Sequence, residues 1–300
     1  MNLGEPTLDQ LRIFIAVAEE GSFGAAGRRL SRAVSAISYG IAQLEAQLGL
    51  SVFAREGSRK PVLTPAGRGL LAEARRVIDA SDAVQAKAQS LHAGLESELS
   101  VVIDVMMPGE AIAAILRDFR RLFPTVALRL NVEALGAVAE CLVRRDAALA
   151  FAGPVISDHP ELDRQVIGEV ELVPVAAPGH PLAGPDIKAG QSREHLQLVL
   201  SDRSRLTQGR EFSVLSPSTW RLGDLGAKHT LLKEGIGWGN MPLHQVHGDI
   251  AQGHLVLLDL PEKPGALYPL SAMWRREHRP GPAASWLIDA MREGLAKPAA

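Results

Sequence analysis

Between Leu8 and Gly67 the chain reads LDQLRIFIAVAEEGSFGAAGRRLSRAVSAISYGIAQLEAQLGLSVFAREGSRKPVLTPAG, and this stretch decides the first part of the fold. Leu8, Leu11, Phe14, Ile15 and Ala18 recur at helical spacing and give one apolar stripe. Gly21 breaks that helix, and Ser22 is placed to cap the next, from about Phe23 to Leu30. Within it the small residues Ala25 and Ala26 allow close packing. A third helix starts near Val34, with Ser35 a candidate cap, Ile37, Ile41, Leu44 and Leu48 as its inner stripe and Gly49 as its stop. Ser31-Arg32-Ala33 joins the two short helices and fits the turn of a helix-turn-helix. That motif sends its second helix into the major groove. Here the outward face carries Ser35, Ser38, Tyr39, Ala42 and Gln43. Serine and glutamine can read base edges, while tyrosine bonds phosphate or packs on sugar.

The next segment adds Arg55, Arg59 and Lys60, with Gly57-Ser58 as a turn between short extended pieces. A basic hairpin beside a helix-turn-helix is a wing, and its cations contact phosphate. With Arg28, Arg29 and Arg32, six cations lie between positions 28 and 60 against Glu45 and Glu56. The candidate DNA-binding residues are therefore Ser22, Arg28, Arg32, Ser35, Ser38, Tyr39, Gln43, Arg55, Arg59 and Lys60. The same residues also admit a plainer reading, an ordinary helical subdomain with solvated arginines.

Thr64-Pro65 starts another helix, with threonine as cap and proline at the first helical position. It can run to about Leu91, some 38 Å at 1.5 Å per residue. Leu70, Ala74, Val77, Ser81, Val84, Ala88 and Leu91 step by four and three along it, a heptad seam that calls for a partner helix from another chain. The alternative is packing on its own domain. Ser81 and the alanines bury little area, so other surfaces should share in dimerisation.

Three hundred residues, 46% hydrophobic, suffice for two or three domains with buried cores. The net charge of -2 means that any affinity for nucleic acid comes from local clustering. The single cysteine, Cys141, excludes an internal disulfide framework and the common cysteine zinc sites, and its neighbours Leu142 and Val143 suit a buried structural thiol. Met1 to Asp9 has no basic-then-apolar run of a signal peptide, and no apolar stretch approaches the ~20 residues that span a bilayer. A soluble cytoplasmic protein without membrane contact is expected.

These residues resemble a known group. Ala25-Ala26-x-x-x-Leu30, Ser35-Ala36-Ile37-Ser38-x-x-Ile41-x-x-Leu44-Glu45-x-x-Leu48-Gly49, Val52-Phe53-x-Arg55 and Leu63-Thr64-x-x-Gly67 are similar to the LysR-type transcriptional regulators. Gly179-His180-Pro181-Leu182, Gly235-Ile236-Gly237 and Met241-Pro242 match that family's effector domain. One departure stands out. Where the family usually places a small hydroxyl residue and then glutamine before the recognition helix, this chain has Ala33 and Val34, so its base contacts there are lost or replaced. The resemblance implies an α+β multidomain chain. A winged helix-turn-helix would occupy 1–65, a dimerising linker helix 66–95, and a two-lobed α/β effector domain of periplasmic-binding-protein type 96–300. Lobe 1 would take about 96–168 and 269–300, lobe 2 about 169–268. Implied partners are double-stranded DNA, a small-molecule effector, a second copy or a homotetramer, and RNA polymerase.

The C-terminal pattern agrees with that plan. Leu99–Val105, Val126–Val132 and Ala147–Phe151 read as strands alternating with helices at Pro108–Arg121 and Ala137–Arg144, which implies parallel strands with crossovers. A second series holds Leu172–Ala177, Leu196–Leu200, a Trp220–Lys233 helix and strand-like Leu255–Leu258. Tyr268–Trp274 and a final helix, Ala283–Leu295, return to the first subdomain. Ligands of such sheets sit beyond the carboxyl ends of strands. The candidate effector-binding residues are Met106 and Met107, Gly153, Ser201, Arg203 and Ser204 around Asp202, and Trp220 with Arg221 at a helix entrance. Trp220 offers an aromatic wall and the arginines a partner for a carboxylate, hence an acidic or aromatic effector. Core tryptophan and surface arginines remain the competing assignment.

Nothing reads as catalytic. There is no Gly-x-Ser-x-Gly elbow and no Walker loop, and Gly235–Gly239 is read as a tight strand-to-helix turn. His244, His247, Asp249 and His254 lack a spacing that compels a metal site. No catalytic residue, metal or cofactor is expected. A small-molecule-binding protein or enzyme with helices used only for assembly is the alternative, and salt-dependent DNA binding separates the two.

Overall fold

The computed structural model of the chain describes residues 5–54, 60–92, 94–156, 158–262 and 265–296. It divides into two units, 1–90 and 91–300.

In the first unit α1 (Leu8–Glu20) begins at Thr7, whose side chain accepts from the Gln10 amide while Gln10 bonds back, and ends at Gly21 with φ 61°. Ser22 caps α2 (Phe23–Arg29) through the Ala25 N–H at 3.0 Å. The turn that follows is closed by the Arg32 N–H donating to the Gly27 carbonyl at 2.8 Å. Helix α3 (Val34–Leu48) starts from Ala33, which makes no side-chain cap bond, and stops at Gly49 with φ 69°. Ser35 therefore lies within its first turn and does not cap it, because the helix begins two residues earlier than a cap at Ser35 requires. The α1 stripe is rotated from the expected one. Ile13, Phe14, Ala16 and Val17 are buried, while Leu8 is exposed and Ile15 and Ala18 are half-buried. Gly40 explains the rotation: a Cβ there would lie 2.7 Å from Ile13 Cδ1, so α1 and α3 approach where α3 has no side chain.

Phe53 packs edge-on against Phe14 and Phe23, with centroids 5.7 and 6.0 Å away, and forms a bridge with Leu63. That bridge is the base of the expected wing; its turn at Gly57-Ser58 lies outside the described residues. The fourth helix, α4 (Pro65–His92), starts where Thr64 Oγ1 accepts from the Gly67 N–H at 2.9 Å. Its 28 residues span about 42 Å. Ala74 is buried in the three-helix core beside Leu70, but Val77, Val84 and Leu91 are exposed.

The second unit runs β1 (Glu98–Asp104), α5 (Gly109–Leu122), β2 (Ala127–Glu133), α6 (Gly136–Val143), β3 (Leu149–Ala152), β4 (Leu162–Ala176), β5 (Gln197–Leu200), β6 (Thr219–Leu222), α7 (Leu225–Lys233), β7 (Trp238–Pro242), α8 (Leu243–Ala251), β8 (Val256–Leu257), β9 (Ala266–Arg275) and α9 (Pro282–Ala296). The strand order is β2-β1-β3-β9-β4-β7-β5-β6, with β8 beside β4. The expected parallel pairing holds for β1 with β2 and β3, and for β5 with β6 and β7. Between these groups β4 and β9 run antiparallel over their length, with a bulge between Val166 and Gly168. The bulge divides the pair into a part beside β3 and a part beside β7.

Two readings need correction. Thr219–Leu222 is an edge strand, so the helix begins at Leu225 and not near Trp220; Asp224 caps it by accepting from the Ala227 N–H. β-Branched and aromatic residues ahead of an Asp cap favour that division. The Gly235–Gly239 segment turns from helix to strand, the reverse of the expected sense, with Gly235 at φ 78° and Gly237 at φ 70° leading from α7 into β7. Cys141 is half-buried, and its partial burial pushes the thiol's pKa up.

Candidate nucleic-acid interface and ligand cavity

Helix α3 is two-faced. Ile37, Gly40, Ile41 and Leu44 are buried against α1 and α2. Ser35, Ser38, Tyr39 and Ala42 are exposed, Tyr39 at 67%, and Gln43 is half-buried. At its start Ala33 and Val34 are exposed too. A helix held on one face by a three-helix core and bare on the other can enter a groove about 12 Å wide. Glu45 ties the start of the wing to this helix, accepting from the backbone N–H groups of Val52 at 2.8 Å and Phe53 at 3.2 Å.

The cations around α3 differ in availability. Arg28 is exposed and makes no ion pair with a described residue. Arg32 pairs with Asp9 at 2.6 Å, which raises its pKa, and Arg29 pairs with Glu19 at 2.8 Å and with Glu20. These two arginines therefore fasten the reader's own helices together. Lys60 is exposed at the edge of the wing. Arg55 and Arg59 lie outside the described residues.

In the second unit a cavity of about 410 Å³ is lined by residues from both parts of the sheet, within the size range of small-molecule sites. Met106, Leu135, Pro154 and Val155 line it from the β1–β3 side, and Leu172, the β5 residues, Asn240 and the first residues of β9 from the other. Arg210, Glu211, Phe212 and Ser213 close it from the long segment between β5 and β6. Gln197, almost wholly buried, shapes that segment. Its Nε2 donates to the Ser213 carbonyl at 2.8 Å, and its Oε1 accepts from the Leu215 and Ser216 N–H groups.

Met106 lines this cavity. Met107 is buried in the core beside it, and Gly153 sits behind the wall under Tyr268. There Asp104, buried at the end of β1, accepts from the N–H groups of Met106 at 2.9 Å and Gly153 at 3.3 Å and from the Tyr268 hydroxyl at 2.9 Å. Burial pushes its pKa up to about 6 against the opposing effect of those three donors, and the Tyr268 hydroxyl is pushed up by burial and by the facing carboxylate.

The segment after Leu200 spends its polar groups on the other side of the cleft. Asp202 accepts from the Gly136 N–H at 3.1 Å and from Thr207 Oγ1 at 2.6 Å. Arg203 pairs with Glu133 at 3.2 Å, and buried Ser204 bonds Glu140. Ser201 is half-buried ahead of them. Trp220 is 51% exposed on the edge strand, and Arg221 pairs with Glu211. Ser201, Arg203, Ser204, Trp220 and Arg221 are not among the residues that line the cavity.

Residues missed by the sequence reading include Arg210, whose guanidinium stands 5.1 Å over the Phe212 ring, and Lys228. Lys228 occupies the buried stripe of α7 with Leu225 and Leu232, a lysine at an apolar spacing that could have signalled it. Its Nζ donates to the Asn240 carbonyl at 2.7 Å, and burial pulls its pKa down to about 8.

Of His244, His247, Asp249 and His254, two bonded pairs form. Asp249 is held by Lys233 at 2.7 Å, His229 at 2.8 Å and His254 at 3.3 Å, while His247 bonds the His244 carbonyl.

Residues 8–68 match the model of the bacterial regulatory helix-turn-helix protein, lysR family, and residues 92–296 match the LysR substrate binding domain. Over 286 residues the chain is 29% identical to the probable HTH-type transcriptional regulator YhaJ of Escherichia coli, covering 94% of each chain. It is also 29% identical to the HTH-type transcriptional activator AllS of Klebsiella pneumoniae, over 83% of this chain and 93% of AllS. Among solved structures it shares the fold of a Corynebacterium glutamicum OxyR mutant, with TM-score 0.56, 22% identity and coverage of 98% and 95% of the two chains. A similar match is full-length LysG of Corynebacterium glutamicum with bound effector Arg, at TM-score 0.53, 20% identity and coverage of 96% and 98%. With both domains matched across nearly its whole length, the chain belongs to the LysR family of DNA-binding transcriptional regulators.

Proposed function

We propose that α3 reads specific sites in duplex DNA and that a small molecule in the 410 Å³ cavity controls the reading. The observation that carries the first half is the division of α3 into a packed face and a bare polar face. On this reading Ser35, Ser38 and Gln43 meet base edges, and Tyr39 and Arg28 meet the backbone. Arg55, Arg59 and Lys60 in the wing add phosphate contacts. Val34, 50% exposed where the family usually has glutamine, replaces a hydrogen bond with an apolar contact suited to a thymine methyl. The protein acts as a regulator and not as an enzyme, as a homodimer or homotetramer in the cytoplasm, with RNA polymerase as the partner it addresses when it activates.

The test is fluorescence anisotropy on a duplex selected from a random pool, across a salt series. Arg28→Ala should weaken binding to all sequences alike and reduce the salt slope by about 1. Ser38→Ala should instead change the ranking of sites. Unchanged affinity at low salt in the first variant, together with an unchanged ranking in the second, refutes the assignment of α3.

A further inference from the structure

We infer that the effector is a small organic carboxylate whose anionic head is received by Lys228; this rests on the cavity being the effector site. Three observations support it. The side chain of Lys228 is almost fully buried yet belongs to the cavity wall, reaching the carbonyl of Asn240, another wall residue. An ammonium carries three N–H donors, and the carbonyl takes one of them. Among the described residues no carboxylate pairs with this cation, whose hydrogen bond goes to the Asn240 carbonyl. A buried charge that meets only a neutral dipole is costly, and a ligand carboxylate arriving at Nζ offsets that cost while it binds. Burial lowers its affinity for a proton, and a ligand carboxylate at Nζ would favour the charged form.

The remaining wall charges reinforce the sign. Glu211 is engaged by Arg221, and Arg210 lies against Phe212 with one N–H directed to the Val155 carbonyl at 3.4 Å. The cavity therefore presents two cations and one carboxylate that already has a partner. Opposite them, Met106, Leu135, Val155 and Phe212 offer an apolar wall to the body of the molecule. An anion with an apolar or aromatic body fits this arrangement, and a cationic ligand does not.

The experiment uses the full chain and two probe pairs, benzoate with benzamide and hexanoate with hexanamide, read by isothermal titration. Each amide keeps the shape and removes the charge. The carboxylates should bind the native protein at least about tenfold more tightly than the amides. Lys228→Met should abolish that preference. Equal binding of acid and amide, or a preference that survives in Lys228→Met, overturns the inference and leaves the effector reading standing. Failure of all four probes to bind also overturns it. The effector reading then has its own readout, a change in DNA affinity caused by any neutral metabolite. Arg210→Met is the second variant: it should weaken the carboxylates less than Lys228→Met does, and the reverse order would remove Lys228 from the role.

Discussion

At Gly153 a single missing side chain organises one wall of the cleft. A Cβ on this residue would overlap the hydroxyl and ring of Tyr268, and the N–H of Gly153 is one of three donors around Asp104. Gly153→Ala should therefore displace Tyr268 and leave the buried Asp104 short of a donor. The expected cost is about 1–3 kcal/mol, as for other overpacked sites, seen as a lower denaturation midpoint. A midpoint unchanged within error would mean that the wall yields and Tyr268 is not held there. The position was legible as a strand end, but not its partner 115 residues onward, because the contact depends on how β9 returns. Lys228 was hidden for a different reason. A lysine in a short helix reads as surface by default; its spacing with Leu225 and Leu232 hinted at burial, and the folded structure shows it as part of a wall.

At the scale of elements, α7 and α8 are fastened by one carboxylate. Asp249, its side chain 14% exposed, takes bonds from Lys233, His229 and His254, and the Lys233 bond above all lowers its pKa to about 2. The unfolded chain, with an ordinary carboxyl at 3.8, takes up the proton first on acidification. The contribution of this knot is accordingly present in full above pH 3.8 and is lost as pH falls toward 2. In Asp249→Asn the melting temperature should be lower at neutral pH, and its fall between pH 4 and 2 should be shallower than in the native chain. Parallel acid limbs in the two proteins would remove Asp249 from that role. The histidines were visible in the sequence, whereas His229 and Lys233 as their companions were not, since they come from the neighbouring helix. The α7 boundary also escaped periodicity: the four residues Thr219–Leu222 are too few to show a period, and pairing with β5 fixed them as a strand.

At the scale of the whole molecule, the apolar seam of α4 is exposed among the described residues. Val77, Val84 and Leu91 stand bare along it, Val84 at 70%, beyond the point where Leu70 and Ala74 meet the helical core. A narrow apolar line on a long helix suits a second copy of that helix. Val84→Glu should shift the protein toward smaller species in sedimentation velocity. It should also weaken binding to a two-half-site duplex by about 100-fold through lost avidity, with little effect on a single half-site. Sedimentation identical to that of the native protein would place the assembly surface elsewhere.

Local chemistry is what the amino-acid order determined by itself. The breaks at Gly21 and Gly49, the cap at Ser22, the Thr64-Pro65 start, and the alternation of strands and helices all depend on neighbours within a few positions, as helix and turn preferences do. The polar face of α3 followed from the same arithmetic. What only the tertiary structure decided depends on long-range closure. The antiparallel β4–β9 pair, the clasp of Asp202 and Arg203 on the opposite side of the cleft, and the cavity wall that brings Lys228 together with Met106 and Tyr268 each join residues far apart in the chain. Burial and pairing are properties of the folded neighbourhood, and no window of sequence contains them.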